Sequence, residues 1–270
     1  MKWRRRIPRA PGMVLTAAIL IAGCCRPPAH TITQVSTIGA LLAGAYDGQI
    51  ACAELRHYGD LGLGTFDRLD GEMVVLDGTV YQVRADGSVR VPPGTATTPT
   101  AMVARFTPEI AVPLERGMGM RAFEARIDRA FPEMNLFCAV RARGRFSAVK
   151  TRSVPAQKKP YPPLVQVTKA QSVFEREGIS GTLLGFRSPG YAGGITVPGY
   201  HLHFLSDDRA FGGHVLDFTL ESGTAEIDPC TRFLLVLPGA ENAFGRMDLG
   251  GDRSAELETA ERGRQGSPKR

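Results

Sequence analysis

Two Asp-Gly pairs, Asp77-Gly78 and Asp86-Gly87, constrain the fold of this chain more than any other short feature of its sequence. The first pair separates two runs of β-type composition, residues 73–76 and 79–83, and the second pair lies just beyond the second run. Asp-Gly is a preferred sequence for a two-residue turn between antiparallel strands, because both positions of a type I′ turn need a positive φ. The sequence therefore predicts an antiparallel meander in this region.

Helical periodicity flanks the predicted meander on both sides. Residues 35–44 place apolar side chains at helical spacing, and Ser36 or Thr37 is available as the N-cap. Residues 115–131 show a second helical pattern. Strands and helices mixed in this way predict an α+β fold, a two-domain chain with largely antiparallel or mixed β-sheets and flanking helices.

A proline-rich stretch at residues 155–163 is predicted to divide the chain. Three of the four residues at 160–163 are prolines, which cannot continue a helix or a central strand. Residues 136–149, before this connector, are predicted to form two strands around Arg143-Gly144. The expected divisions are a signal peptide at 1–23, a tether at 24–32, an N-terminal α/β domain at 33–160, a C-terminal β-rich domain at 161–250 and a tail at 251–270.

The net charge of +6 comes almost entirely from the N-terminus. Residues 1–23 contain five basic side chains and no acidic one, so the remainder of the chain has 28 basic against 27 acidic residues. A nearly neutral folded part lacks the basic surface that binds nucleic acid, so no nucleic-acid partner is expected. A hydrophobic content of 43% excludes a chain that is disordered throughout.

The same N-terminal segment is predicted to be an export signal. Basic residues precede a short apolar run at 13–23, which is shorter than the roughly 20 residues that a membrane-spanning helix needs. The run ends in Ile-Ala-Gly-Cys24, which resembles the cleavage box of bacterial lipoproteins, where the cysteine receives a lipid and begins the mature chain. We expect a periplasmic or cell-surface lipoprotein that contacts the membrane only through a lipid on Cys24. The alternative is an ordinary secreted protein.

The remaining cysteines do not form a recognisable motif. Cys25, Cys52, Cys138 and Cys230 have long, irregular spacings and no C-x-x-C pair, which argues against a zinc ribbon or a thioredoxin-type site. An exported location permits disulfides, but the sequence does not pair these residues. The simpler interpretation is that they are small buried hydrophobic residues, as the surroundings of Cys138 suggest.

Three of the five histidines fall within fourteen residues, at His201, His203 and His214. On a strand, residues i and i+2 share a face, so the His-x-His pair presents two imidazoles together. If residues 206–211 turn the chain back, His214 arrives beside them on the neighbouring strand. Three imidazoles with an open fourth position are typical of a catalytic zinc site. The alternative interpretation is three histidines on a polar sheet face without a ligand role.

Four segments of the chain form a recognisable set: residues 34–48, 62–82, 152–161 and 200–215. Together they resemble bacterial α-acetolactate decarboxylases, in which such segments occur in the same order. The resemblance covers roughly residues 33–261, which is nearly the whole mature chain.

The resemblance implies a metal site and a set of catalytic residues. The metal ligands of the family match His201, His203 and His214, and the implied metal is Zn²⁺ in a C-terminal metal-binding domain. The acidic residue of a Leu-Asp-Gly-Glu motif matches Glu72, and the arginine of an Arg-Ser-x-Pro-x-Gln motif matches Arg152. A glutamate that folds back into the site from the tail matches Glu261 best, with Glu256 and Glu258 as close rivals.

The implied reaction is decarboxylation of 2-acetolactate to acetoin and CO2, with (R)-acetoin as product and a two-domain α/β homodimer as the enzyme. Loss of CO2 leaves an electron pair that must spread into the neighbouring ketone, which a metal favours as a Lewis acid. An arginine orients the substrate carboxylate, and a buried glutamate supplies a proton to one face.

Two alternative functions would also use His201, His203 and His214 as metal ligands. A cupin-type metal enzyme also has His-x-His and a later histidine, but it requires a glycine where this chain has Ile195 and a glutamate where it has Asp207 or Asp208. A non-catalytic metal-binding lipoprotein would need neither Glu72 nor Arg152 beside the metal.

Overall fold

The computed structural model describes residues 26–239 and 243–262 of the 270-residue chain. The predicted signal peptide at 1–23 and its lipidation site Cys24 lie outside the described residues, as do Cys25 and the end of the predicted tail. None of the helices in the described ranges is long and apolar enough to cross a membrane.

The described part of the chain is built from short helices and many strands. Its α-helices are α1 (Ile38–Leu42), α2 (Cys52–Tyr58), α3 (Met120–Ala130), α4 (Leu164–Thr168) and α5 (Ser254–Arg262). Single 3-10 turns occur at Asp67–Leu69, Gly190–Ala192 and Ala243–Arg246. Its strands are β1 (Thr31–Val35), β2 (Ile50–Ala51), β3 (Leu61–Thr65), β4 (Glu72–Leu76), β5 (Thr79–Val83), β6 (Val89–Arg90), β7 (Thr97–Thr98), β8 (Ala101–Ala104), β9 (Ile110–Leu114), β10 (Phe137–Ser153), β11 (Ser172–Ser188), β12 (Gly199–Ser206), β13 (Gly212–Cys230) and β14 (Arg232–Val236).

The predicted meander lies at one end of a seven-stranded sheet with the order β14-β1-β8-β3-β4-β5-β6. Asp77 and Gly78 have φ values of 50° and 75°, which is the backbone of a type I′ turn. Strand β4 pairs antiparallel with β5, and β5 pairs antiparallel with β6 beyond Asp86-Gly87. The meander prediction is therefore confirmed.

The second large sheet has the order β10-β11-β12-β13-β9, and β10 also pairs with β13. The pairings of β10, β11, β12 and β13 therefore form a closed cycle, which leaves few free strand edges. Apolar side chains of this sheet pack against the seven-stranded sheet, with Leu184, Phe186 and Leu205 facing Leu63 and Val74 in one core. With helices beside two large sheets, the predicted α+β class is confirmed.

The prediction of two strands around Arg143-Gly144 is wrong. Residues 137–153 form the single strand β10, in which Gly144 lies opposite Gly181 of β11 and Gly223 of β13. A Cβ atom at Gly144 would lie 2.2 Å from the backbone oxygen of Ser222. Gly144 thus marks a close approach of two backbones and not a turn.

The two predicted helices are confirmed with shorter bounds. Helix α1 begins after Thr37, whose Oγ1 accepts a hydrogen bond of 3.1 Å from the amide of Ala40. Of the two proposed caps, Thr37 is therefore the one that the structure uses, and Val35 belongs to β1. Helix α3 buries Phe123 and Ile127 in the core of the second sheet.

The connector at residues 155–163 contains neither a helix nor a strand, as predicted. The strands, however, are not divided between the sheets at this point. Strands β9 and β10 precede the connector but belong to the second sheet, and β14, near the C-terminus, pairs in parallel with β1. The domain boundary between residues 160 and 161 stays a prediction.

Cys52, Cys138 and Cys230 are each buried, and they form no disulfide within the described part of the chain. This matches the simpler interpretation of these residues as small core hydrophobes.

Replacing Gly144 by alanine should lower the free energy of unfolding by about 1–3 kcal/mol, because the added Cβ forces two paired backbones apart. Denaturant titration measures the change. Gly190→Ala is the control, since a Cβ there meets no atom within 4 Å, and its effect should stay within about 0.5 kcal/mol. Equal stability of the two variants would contradict the role of Gly144.

Candidate active site

Strands β12 and β13 bring the three predicted histidines together. His201 and His203 lie two residues apart on β12, and His203 is the direct partner of His214 on β13. The possible ligand atoms of the three imidazoles all lie within 4.8 Å of one another. The predicted convergence of the imidazoles is therefore confirmed.

Backbone carbonyls fix which nitrogen carries the proton in His203 and in His214. Nδ1 of His203 lies 2.8 Å from the carbonyl oxygen of Met73, which can only accept, so Nδ1 donates and Nε2 is unprotonated. In the same way, Nε2 of His214 donates to the carbonyl oxygen of Glu261 at 3.1 Å. Nδ1 of His214 then faces Nε2 of His201 at 3.1 Å.

The three imidazoles have the form that binds a metal. Burial lowers the pKa of His201 to about 3 and also lowers the pKa values of His203 and His214, with Arg152 contributing, so all three rings are neutral. Nε2 of His203 is buried without a hydrogen-bond partner among residues 26–239 and 243–262. Zn–N bonds of about 2.0–2.1 Å at tetrahedral angles place ligand nitrogens about 3.3 Å apart, close to the separation of the His201 and His214 nitrogens. The cluster is thus compatible with a divalent metal.

Glu72, the first residue of β4, extends its carboxyl group toward this cluster. Its Oε2 lies 3.7 Å from the unpartnered Nε2 of His203. Burial raises the pKa of Glu72 to about 7, with an opposing effect of Arg152 and a further rise from Glu261. A cation bound among the imidazoles would lower this pKa again.

Arg152 lies near the end of β10, directly opposite His214 of β13. Only 4% of the residue is exposed. Its Nη1 donates to Oε1 of Gln171 at 3.0 Å and to the carbonyl oxygen of Ala260. The structure therefore places a buried cation beside the imidazoles.

Helix α5 supplies the second carboxyl group. Oε2 of Glu261 lies 3.5 Å from Nε2 of His201 and 3.8 Å from Nε2 of His214, and burial raises its pKa against the effect of Arg152. The rivals from the tail lie elsewhere: Glu256 pairs with Arg253 at 3.0 Å, and Glu258 is exposed. Of the three candidates, the structure brings Glu261 into the site.

Mostly apolar side chains complete a cavity over these groups. They come from α1, the first sheet, the 3-10 turn before β4, the residue that follows β10, and α4. The apolar lining includes Leu41, Leu63, Leu69, Met102, Val154 and Leu164.

Four groups of the site cannot be recognised from the sequence. The carbonyl oxygens of Met73, Ala260 and Glu261 carry no signal in a sequence, because every residue has one. Gln171 is an ordinary polar residue before a strand, and only its contact with Arg152 distinguishes it.

Comparisons with known proteins agree on one family. The family model described as α-acetolactate decarboxylase matches residues 32–251. The α-acetolactate decarboxylase of Methanosarcina mazei is 47% identical over 229 residues, covering 85% of this chain and 79% of the relative. That of Methylococcus capsulatus is 43% identical over 232 residues, covering 86% of this chain and 89% of the relative. The crystal structure of α-acetolactate decarboxylase from Bacillus subtilis superposes with a TM-score of 0.83 at 40% identity, covering 86% of this chain and 99% of that one.

Fold and sequence together define an enzyme of the carboxy-lyase class that acts on a small molecule. The chain belongs to the α-acetolactate decarboxylase family. This membership decides against both the cupin-type enzyme and the non-catalytic lipoprotein.

Leu257→Ala should lower the rate of acetoin formation, because Leu257 is a buried contact of α5, the helix that carries Glu261 and the carbonyl of Ala260. Loss of a buried leucine side chain typically costs about 2–5 kcal/mol of packing. Acetoin released from acetolactate is the measurement. Glu258→Gln, on the exposed side of the same helix, is the control and should keep the wild-type rate. A wild-type rate in Leu257→Ala would show that the docking of α5 is dispensable.

Proposed function

We propose that this chain decarboxylates 2-acetolactate with a divalent metal, Zn²⁺, held by His201, His203 and His214. The observation that carries the metal proposal is the buried, unprotonated and unpartnered Nε2 of His203, directed into a cluster of neutral imidazoles. A buried nitrogen lone pair without a partner is costly, and a bound cation removes that cost. When bound, the metal supplies Lewis-acid stabilisation for the negative charge that develops on the substrate oxygens.

Arg152 is proposed to bind and orient the substrate carboxylate. Its guanidinium is buried beside the imidazoles, where the low dielectric strengthens its attraction for an anion. A held carboxylate fixes the bond that breaks relative to the rest of the substrate. Arg152 thus sets the geometry from which CO2 leaves.

Glu72 is proposed to deliver the proton that replaces CO2. Its carboxyl group is buried and lies next to the imidazole cluster, so it reaches the substrate from one fixed direction. Protonation from one side gives a single enantiomer of acetoin, expected to be (R)-acetoin. Glu261 completes the site between Arg152 and the imidazoles, 3.9 Å from Nη2 of Arg152.

The cellular location and the oligomeric state of the protein are proposed from its N-terminal sequence and its family resemblance. The basic and apolar segment before Cys24 supports export as a periplasmic or cell-surface lipoprotein. The resemblance of the chain to its family supports a homodimer.

The purified protein should bind about one divalent metal ion per chain, as a site with three protein ligands implies. His203→Ala should lose the metal, whereas His57→Ala, an exposed histidine on α2, should keep it. Elemental analysis of the gel-filtered protein measures the metal content of each variant. If a His201/His203 double variant still bound one metal ion per chain, the metal site would lie at other residues.

Glu72→Gln and Arg152→Ala should keep the metal but lose decarboxylation, because neither side chain is a proposed ligand. Loss of Arg152 should cost about 2–4 kcal/mol of transition-state stabilisation, as removal of a key electrostatic donor does. Glutamine keeps the shape of Glu72 and removes its proton. Acetoin formation and metal content are measured on the same samples, with Glu261→Gln in the panel and Glu256→Gln as the control. Wild-type turnover of the Glu72 and Arg152 variants would mean that the chemistry is assigned to the wrong residues.

Full-length protein should partition into the detergent phase, and Cys24→Ser should move it to the aqueous phase, because the lipid is the only proposed anchor. Phase separation with Triton X-114 and the mass of the mature N-terminus measure this. An unchanged distribution, with a mature N-terminus at another residue, would identify an ordinary secreted protein.

A further inference from the structure

Hydrogen bonds to the described residues hold the planar guanidinium of Arg152 at one edge, the edge that carries Nη1. An arginine has five N–H donors in a rigid plane. Both hydrogens of Nη1 are engaged, one by Oε1 of Gln171 at 3.0 Å and one by the carbonyl oxygen of Ala260. Rotation of the plane would break both hydrogen bonds at once, so these two acceptors fix its orientation.

The opposite edge of the guanidinium makes no hydrogen bond to the described residues. Nε of Arg152 is buried and has no hydrogen-bond partner among the described residues. Nη2 has Glu261 as its ion-pair partner, but Oε1 of that residue lies 3.9 Å away, which is too far for a hydrogen bond. The N–H groups of Nε and Nη2 are parallel and match the two oxygens of one carboxylate.

We propose that Gln171 is a positioning residue that turns the Nε/Nη2 edge of Arg152 toward the substrate carboxylate. This inference rests on the proposed role of Arg152 as the group that binds that carboxylate. In the described part of the chain, the side chain of Gln171 makes no hydrogen bond to the imidazoles or to Glu72. It lies between α4 and β11, and its amide oxygen occupies one Nη1 hydrogen so that the forked edge remains available.

A neutral acceptor suits this position better than a charged one. A carboxylate at residue 171 would also accept from Nη1, but its charge would neutralise the guanidinium and weaken its hold on a second anion. Glutamine supplies the hydrogen bond without that competition. Gln171→Leu therefore tests the hydrogen bond, and the nearly isosteric Gln171→Glu tests its neutrality.

The test compares two unreactive ligands of nearly the same shape, one anionic and one neutral. 2-Hydroxy-2-methylpropanoate has the carboxylate and tertiary alcohol of the substrate but no ketone, so it does not decarboxylate, and its amide has the same shape without the charge. Their inhibition constants are measured against acetolactate with purified protein of known metal content. We expect the wild type to prefer the acid over the amide.

In Gln171→Leu the inhibition constant of the acid should rise roughly tenfold, as expected for a lost hydrogen bond to a charged group. In Gln171→Glu it should rise by a similar factor, because the new carboxylate competes with the ligand for the charge of the guanidinium. The inhibition constant of the amide should change less than about twofold, since its binding does not depend on the parallel Nε and Nη2 donors of Arg152. Gln166→Leu, an exposed glutamine on α4, is the matched control and should bind both ligands as the wild type does.

Two results would overturn the role of Gln171: wild-type preference for the acid in both variants, or an equal rise for acid and amide, which would indicate a deformed cavity. Failure of the proposed function looks different. In that case the wild type itself forms no acetoin, or does not prefer the acid over the amide.

Discussion

The hydrogen bond between His203 and the carbonyl oxygen of Met73 joins the two large sheets at the point where the site forms. It ties β12 of the second sheet to β4 of the first. Because the carbonyl can only accept, the bond also fixes the ring tautomer and leaves Nε2 as the free lone pair. Glu72 precedes Met73 in β4, so the same contact sets the 3.7 Å separation between the carboxyl group and that nitrogen. One backbone group thereby positions a proposed ligand and a proposed proton donor together.

The C-terminal end of α5 is the second support of the site. The last carbonyls of a helix have no partner within the helix and carry partial negative charge. Here the carbonyls of Ala260 and Glu261 accept hydrogen bonds from Arg152 and from His214. The buried side chains Leu257 and Ala260 hold the helix in place against the core that also contains Leu164 and Val167. The helix therefore completes the site with its backbone as well as with the carboxyl group of Glu261.

Local signals predicted the parts of this arrangement that depend on neighbours in the sequence. The Asp-Gly turns and the i, i+2 spacing of His201 and His203 follow from backbone geometry alone, and both were found. The turn predicted at Gly144 is wrong because a glycine at a close backbone approach looks the same in a sequence as a glycine in a turn. The partners of Arg152 could not be predicted, since Gln171 and the carbonyl of Ala260 reach it only through the packing of α4 against α5. Glu261 was placed by resemblance and not by any pattern in its charged surroundings.

Arg152 acts on the site through two separate properties, its charge and its shape. Its charge lowers the pKa values of all three imidazoles and opposes the rise that burial causes in Glu72 and Glu261. Its shape provides the forked edge that the contacts of Nη1 leave free. A buried lysine could supply neither reliably, because its ammonium loses a proton readily on burial and has no planar fork. Burial is the largest cause of the lowered imidazole pKa values, and the nearby charge of Arg152 adds to it.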